Sequence, residues 1–309
     1  MMHWGGPEVL HVVDLPDPVP RTGEVRIRVH AAAVNPTDTQ LRSGARAERL
    51  RDVAPPHVPG MDAAGVLEKI GEGTETDLRP GEQVMAIVLP LGARGAYAER
   101  VVVPAESVVR MPKGASFAEA ATLPMNGLTA RAALDALALE PGRTLAVSGA
   151  AGAVGGYTMQ LATFEGLRVI ADAAPADQAL VRGLGADVVI PRGDAFASEV
   201  RAVVPDGADA LVDAALLDER AVEAVRDGGA VATLRGFDGA GVAGRGIDFH
   251  PVYVRTYAGD RDKLDHLRAQ AEDGVLTLRV ARVLPLERAA EAHRLLEAGG
   301  VRGRIVLEM

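Results

Sequence analysis

The sequence predicts an α/β protein in which a β-rich module is interrupted by a doubly wound parallel sheet. Residues 1–115 run in short β-branched stretches broken by Pro and Gly. From about residue 116, stretches with helical spacing alternate with short apolar runs, the pattern of parallel strands joined by crossover helices. One of those runs passes at "AVSGAAGAVGG" (146–156) into glycines where a helix begins. A chain of 309 residues has room for two cores. The expected division is 1–115 with 260–309 for the β-rich domain and 116–259 for the inserted one.

In the first part, "EVRIRV" (24–29) alternates apolar and polar residues as a half-buried strand does. "AGVLEKIGEG", "GEQVMAIV" and "AERVVVP" read as further short strands. In the second part the apolar runs are "TLAVS" (144–148), "LRVIA" (167–171), "DVVI" (187–190), "ALVDA" (210–214), "AVATL" (230–234) and "PVYVRTY" (251–257). Between the first two, Val154, Tyr157, Leu161 and Phe164 step by three and four and give one apolar helix face. Residues 264–272 and 286–298 read as later helices. "GRIVLEM" (303–309) reads as a final strand that rejoins the first domain.

Composition removes several functions. The net charge is −9 with no basic block, which argues against nucleic acid as a partner. No apolar run approaches the ~18–20 residues of a membrane span, and no secretory signal opens the chain, so a cytoplasmic protein is expected. The absence of cysteine removes disulfides, thiolate catalysis and every cysteine-based zinc site. Arginine outnumbers lysine thirty to three, which we read as coding bias, and the chain has only two asparagines, Asn35 and Asn126.

Gly149, Gly152 and Gly155 follow an apolar strand at spacings of three and three. Missing side chains let a pyrophosphate approach the backbone, and the helix N-terminus supplies N–H groups and partial positive charge. A tight strand–helix turn with small residues for packing is the plainer alternative. The triplet opens the first strand–helix–strand unit of a six-strand alternation, which favours dinucleotide binding. Gly149, Ala150, Ala151, Gly152, Ala153 and Val154 then form the cradle.

At this point the chain resembles the medium-chain dehydrogenase/reductase superfamily, in its zinc-free quinone-reductase branch. The resemblance runs nearly end to end, through "GGPEVL", "VNPTD", "PGMDAAGVLEKIGEG", "RPGEQV", "GAYAE", "LPMNGLTA", "GAAGAVGG" and the terminal "GRIVLEM". It implies a chaperonin-10-like β-rich catalytic domain with an inserted Rossmann domain, and a short first strand. Zinc-dependent relatives bind catalytic zinc through two cysteines and a histidine, and the matching places here are Asn35, Met61 and Met125. Two thioethers and an amide do not make a zinc site. The seven histidines show no paired ligand spacing, and His57 is read as a solvated loop side chain. The expectation is no metal.

Without a Lewis acid, alcohol oxidation is hard, because nothing lowers the pKa of the hydroxyl. Reduction of a quinone or an α,β-unsaturated carbonyl is easier, since hydride addition yields a resonance-stabilised anion. The resemblance places Asn35 and Thr129 at the nicotinamide end as the catalytic pair, and adds Leu234 to the cofactor contacts. Asp38 is read as orienting the Asn35 loop. Thr37 stands where zinc enzymes keep a relay hydroxyl. Tyr97, Tyr157, Tyr253 and Tyr257 read as core or interface, which leaves the proton donor unassigned.

Asp172, near the end of the second strand, argues for the free ribose of NAD, although it falls about one position early. Arg192 falls where NADPH-using relatives carry a phosphate-contacting tyrosine and argues for NADP. The balance favours NADPH, with NAD as the alternative. The expected function is an NADPH-dependent quinone or enone reductase. Its alternatives are an enoyl reductase for a larger lipid- or polyketide-like enone and a non-catalytic nucleotide-binding protein. Substrate choice is expected in loops 44–58 and 236–250. A homodimer is expected through the long apolar edge strand "IDFHPVYVRTY" (247–257).

Overall fold

The alternation at 24–29 becomes β1 (Glu24–Val34), with Val25, Ile27 and Val29 buried and Arg28 exposed. The structure is a computed structural model that describes residues 1–45, 47–242 and 244–309, and of Arg49 the backbone alone. Arg46 and Ala243, which fall in the stretches 44–58 and 236–250, lie outside the described residues. The chain forms two compact units. One comprises Met1–Met125, Arg255–Gly274 and Leu278–Met309; the other comprises Asn126–Val254 and Val275–Thr277.

After β1 come α1 (Pro36–Ser43), β2 (Asp62–Ile70), β3 (Gln83–Ile87), β4 (Arg100–Pro104) and β5 (Val108–Arg110). The short α2 (Phe117–Ala120) starts on a capping box between Ser116 and Glu119. The next helix, α3 (Pro124–Leu137), carries the chain from the first unit into the second.

The second unit alternates strand and helix: β6 (Thr144–Ser148), α4 (Ala153–Phe164), β7 (Arg168–Ala173), α5 (Gln178–Gly183), β8 (Val188–Pro191), α6 (Phe196–Val203), β9 (Ala208–Asp213), α7 (Glu219–Val222), β10 (Val225–Thr233) and β11 (Asp248–Pro251). All pairings are parallel, in the order β8-β7-β6-β9-β10-β11. The first strand in sequence therefore sits in the middle, and the chain winds outward on both sides of it. In open sheets of this kind the switch point, beyond the carboxyl ends of the strands, is where ligands bind. Every residue of β6 is buried, as a strand with neighbours on both edges and both faces must be.

The chain then returns through α8 (Arg261–Glu272), β12 (Val280–Pro285), α9 (Ala289–Glu297) and β13 (Arg304–Glu308). β13 pairs antiparallel with β1, Ala31 opposite Glu308 and Val34 opposite Ile305, so the tail does rejoin the first unit. The seven-stranded sheet there runs β12-β13-β1-β2-β3-β5, with β4 also on β1. Its core gathers Val25, Ile27, Leu67, Val84, Val101 and Ile305. The core of the second unit gathers Ile170, Phe196, Val200, Leu211 and Val231.

Three expectations need correction. The run 251–257 is not a strand. β11 ends at Pro251 because β10 offers it only Ala230 to Thr233, and the chain then turns through a 3-10 helix, Val254–Thr256. Val252 and Val254 are still buried, so apolar alternation was present without a partner strand to use it, and Tyr253 is 39% exposed. Phe164 does not join the apolar face of α4. Gly155, Gly156, Tyr157, Thr158, Met159, Leu161 and Ala162 enclose the middle of that helix, while Phe164 in its last turn is 61% exposed. Residues 1–23 form no strand among those described, only a 3-10 turn at Pro7–Val9. Among the described residues no helix is long and apolar enough to cross a membrane.

Candidate active site

The glycine loop is built by sterics. Gly149 has φ +67°, and a Cβ there would lie 3.0 Å from the carbonyl carbon of Ala214 and from the Ala215 nitrogen. A Cβ on Gly155 would stand 2.5 Å from the Gly149 oxygen, so the close pass of helix and loop demands glycine. Gly152 differs. Its backbone is extended (φ −72°, ψ 176°), it caps α4 without a side-chain bond, and a Cβ there would meet only the Gly149 oxygen at 3.1 Å. Packing within the fold therefore demands glycine less strictly at 152 than at 149 or 155. A pyrophosphate fits a cradle that a Cβ would fill at the N-terminus of a twelve-residue helix.

Other expected cofactor residues stand at the same carboxyl end of the sheet. Asp172 is the penultimate residue of β7, Arg192 follows β8, and Leu234 follows β10 and is half-buried. Asp172 is buried and turned under the loop, where its Oδ1 accepts the Ala150 N–H at 3.1 Å. Burial pushes its carboxyl up, and the N–H groups of Ala150 and Gly149 with the Arg192 charge pull it partly back. Arg192 is exposed; its amide bonds the Ala173 carbonyl at 3.1 Å. Thr129 lies buried in α3 of this unit.

Beneath the crest of β6, the Ser148 hydroxyl donates to Asp213 Oδ1 at 2.5 Å and accepts the Ala215 N–H at 3.0 Å. Asp213 Oδ2 takes the Asp218 N–H at 2.8 Å. This brace holds a loop with Leu216 at φ +60° and Asp218 at φ +52°, ψ −126°.

In the β-rich unit, Asn35 caps α1 and is fully buried. Its amide Nδ2 donates to Asp62 Oδ2 at 2.6 Å, and its backbone N–H donates to Asp38 Oδ2 at 2.8 Å. Asp38 also takes the Gly60 N–H at 3.0 Å and the Tyr97 hydroxyl at 3.3 Å. It orients the loop, as read from the sequence. The Met125 N–H closes on Asp62 Oδ1 at 2.6 Å. Burial pushes Asp62 up to about 7 and Asp38 up to about 6; these N–H groups and the buried Arg304 limit both shifts. Tyr97 extends the chain to His293 Nε2 at 3.2 Å, and burial with the nearby Arg42 takes that imidazole down to about 4.

Asn35 and Thr129 thus belong to different units. The Thr37 hydroxyl is buried with no hydrogen-bond partner among the described residues. His57 is not a solvated side chain. It is buried and stacks on Trp4 with ring centroids 4.6 Å apart, because "MMHW" folds back so that the Met1 carbonyl accepts the His57 N–H. Sequence reading missed Asp62, His293 and Arg304 as parts of this network. The signal for Asp62 was in view, a carboxylate inside the apolar run "MDAAGVL". Among the described residues no group of three or more His, Cys, Asp or Glu is placed to hold a metal ion.

A doubly wound sheet with a glycine cradle at its switch point, joined to a β-rich unit with a buried acid–amide cluster, defines a two-domain nucleotide-dependent dehydrogenase or reductase. Comparison with known proteins narrows the class. Residues 21–113 match the alcohol dehydrogenase GroES-like domain, and residues 184–307 match the zinc-binding dehydrogenase domain. A chloroplastic NADPH-dependent alkenal/one oxidoreductase of Arabidopsis thaliana is 32% identical over 98% of this chain and 77% of its own length. A solved structure described as an NAD-dependent alcohol dehydrogenase is 34% identical with a TM-score of 0.87, covering 100% of this chain and 98% of that one. The quinone oxidoreductase from Coxiella burnetii is 27% identical with a TM-score of 0.87, over 99% of this chain and 96% of its own. The chain belongs to the medium-chain dehydrogenase/reductase superfamily, in the branch of the quinone and alkenal/one oxidoreductases.

Proposed function

We propose that this protein is a zinc-free reductase that transfers hydride from NADPH to a quinone or an α,β-unsaturated carbonyl. The observation that carries the reading is the pairing of an open glycine cradle at the switch point with Asn35, Met61 and Met125 at the places of the family's zinc ligands. The coenzyme, when bound, supplies the hydride. The protein's part is to hold it and to exclude water. The N–H groups of Ala153 and Val154 at the start of α4 face no acceptor within the helix and suit the pyrophosphate. Arg192 suits a 2′-phosphate, which favours NADPH over NADH. Resemblance assigns Asn35 and Thr129 to the nicotinamide end and counts Leu234 among the cofactor contacts.

With amide and thioether side chains in place of metal ligands, the acceptor must stabilise the incoming charge by its own conjugation. Quinones and enones do so. The test is loss of NADPH absorbance with a panel of quinones, enones and saturated ketones, together with elemental analysis. Turnover of the conjugated acceptors alone, on protein without stoichiometric zinc, is the expected result. One zinc per chain, or no turnover with any conjugated acceptor, overturns the reading.

The same reading places the protein in the cytoplasm as a homodimer. Support for the dimer comes from β11, which among the described residues pairs on one side only, although it is shorter than the run 247–257 on which the expectation rests. Light scattering at micromolar concentration should give the mass of two chains, and a monomer would count against it.

A further inference from the structure

Asp172 stands near the position from which a carboxylate selects the ribose of NAD, yet its bonds run elsewhere. We propose that Asp172 is a positioning residue that braces the phosphate loop from beneath and takes no part in reading the adenosine ribose. The inference rests on the dinucleotide reading above and deepens it.

Successive side chains of a strand point to opposite faces, so an offset of one residue reverses direction. The expected ribose position is one residue beyond Asp172, at Ala173, whose side chain has no hydrogen-bonding atom. Asp172 points instead to the loop after the neighbouring strand β6. Its buried Oδ1 takes the Ala150 N–H at 3.1 Å, and the Gly149 N–H faces the same carboxyl. Gly149 is the left-handed residue at which the chain leaves the strand. A carboxylate accepting N–H groups there ties down the residue on which the geometry of the loop depends.

The donors of the loop divide accordingly. The Ala150 N–H is taken by Asp172, and the Gly152 N–H is taken by the Gly149 carbonyl at 2.9 Å. The N–H groups of Ala153 and Val154, at the start of α4, have no acceptor within the helix and suit the phosphates. These N–H groups point correctly only while the preceding turn is held. Arg192, whose guanidinium makes no hydrogen bond or ion pair among the described residues, then decides between the coenzymes alone. Asp172 controls affinity, and Arg192 controls preference.

The experiment is calorimetric titration of the full chain, Asp172→Ala and Asp172→Asn with NADPH, NADH and adenosine 2′-monophosphate. Loss of the brace should weaken NADPH and NADH alike in Asp172→Ala, by about tenfold. Their ratio should stay unchanged, and the monophosphate, which has no pyrophosphate, should bind as before. Asp172→Asn keeps an acceptor oxygen and should recover most of the loss; if the alanine variant does not fold, the asparagine variant carries the test through the coenzyme ratio. A tenfold shift in the NADPH to NADH ratio in either variant would overturn the inference, because a ribose reader or a repelling charge acts on one coenzyme. So would unchanged affinity for both in Asp172→Ala. A wild-type chain that binds neither dinucleotide would instead overturn the functional reading on which this one rests.

Discussion

Replacing Asp62 by asparagine makes the β-rich unit report on its own buried charge. Asp62 and Asp38 are both enclosed, and burial holds their carboxyl groups at about 7 and about 6 against an ordinary value of 3.8. The pair interacts, so the two protons leave as a coupled system. Below pH 3.8 folded and unfolded chains both carry these protons, and their stabilising contribution is fully present. As the pH rises the unfolded chain releases them first, so stability falls through the window from about 4 to about 7. At 1.36 kcal/mol per unit the loss is about 3 kcal/mol for Asp38 and about 4 kcal/mol for Asp62.

The asparagine side chain has nothing to ionise. Its oxygen still accepts the Met125 N–H, and its NH₂ group can donate to Asn35 once that amide turns over. Urea unfolding of wild type and Asp62→Asn at intervals from about pH 4 to about pH 8 is the assay. The stability difference should move in favour of the variant by about 4 kcal/mol across the range, most steeply between about pH 5 and 7. Parallel curves would refute the reasoning, because they would mean that Asp62 ionises in the folded protein as readily as in the unfolded chain.

Gly152→Val should fold, since the backbone there is extended, and should lose NADPH and NADH binding together. Gly155→Ala, with its Cβ driven to 2.5 Å from a carbonyl oxygen, should lose stability first, and melting curves with titrations separate the two. Arg192→Ala should weaken NADPH about tenfold or more and leave NADH nearly unchanged, the loss of a charge-assisted phosphate contact. A silent Arg192 in coenzyme titrations would reverse the NADPH preference. Asp218→Gly should stabilise the protein by about 1 kcal/mol, read as a higher melting temperature. Relief of a backbone conformation costly to any residue but glycine outweighs the greater freedom of glycine in the unfolded chain.

Periodicity and small residues made much of this protein legible in one dimension. The strand cores at 144–148 and 167–171, the helix after the glycine triplet and the return of "GRIVLEM" to the first unit are local patterns, and sterics at Gly149 and Gly155 force the turn that their spacing announced. The donor atoms at 35, 61 and 125, an amide and two thioethers, could likewise be read directly from the sequence. Direction and partnership did not. Only tertiary structure decided that Asp172 faces the loop, since a strand reverses its side chains at each residue and the sequence left the register open by one. Pairing stopped β11 at Pro251, because an alternating run becomes a strand only where a neighbour supplies hydrogen bonds. The acid–amide cluster joins residues 35, 38, 62, 97, 293 and 304 from distant parts of the chain. Its raised carboxyl groups come from burial, which no single residue carries and only the folded neighbourhood creates.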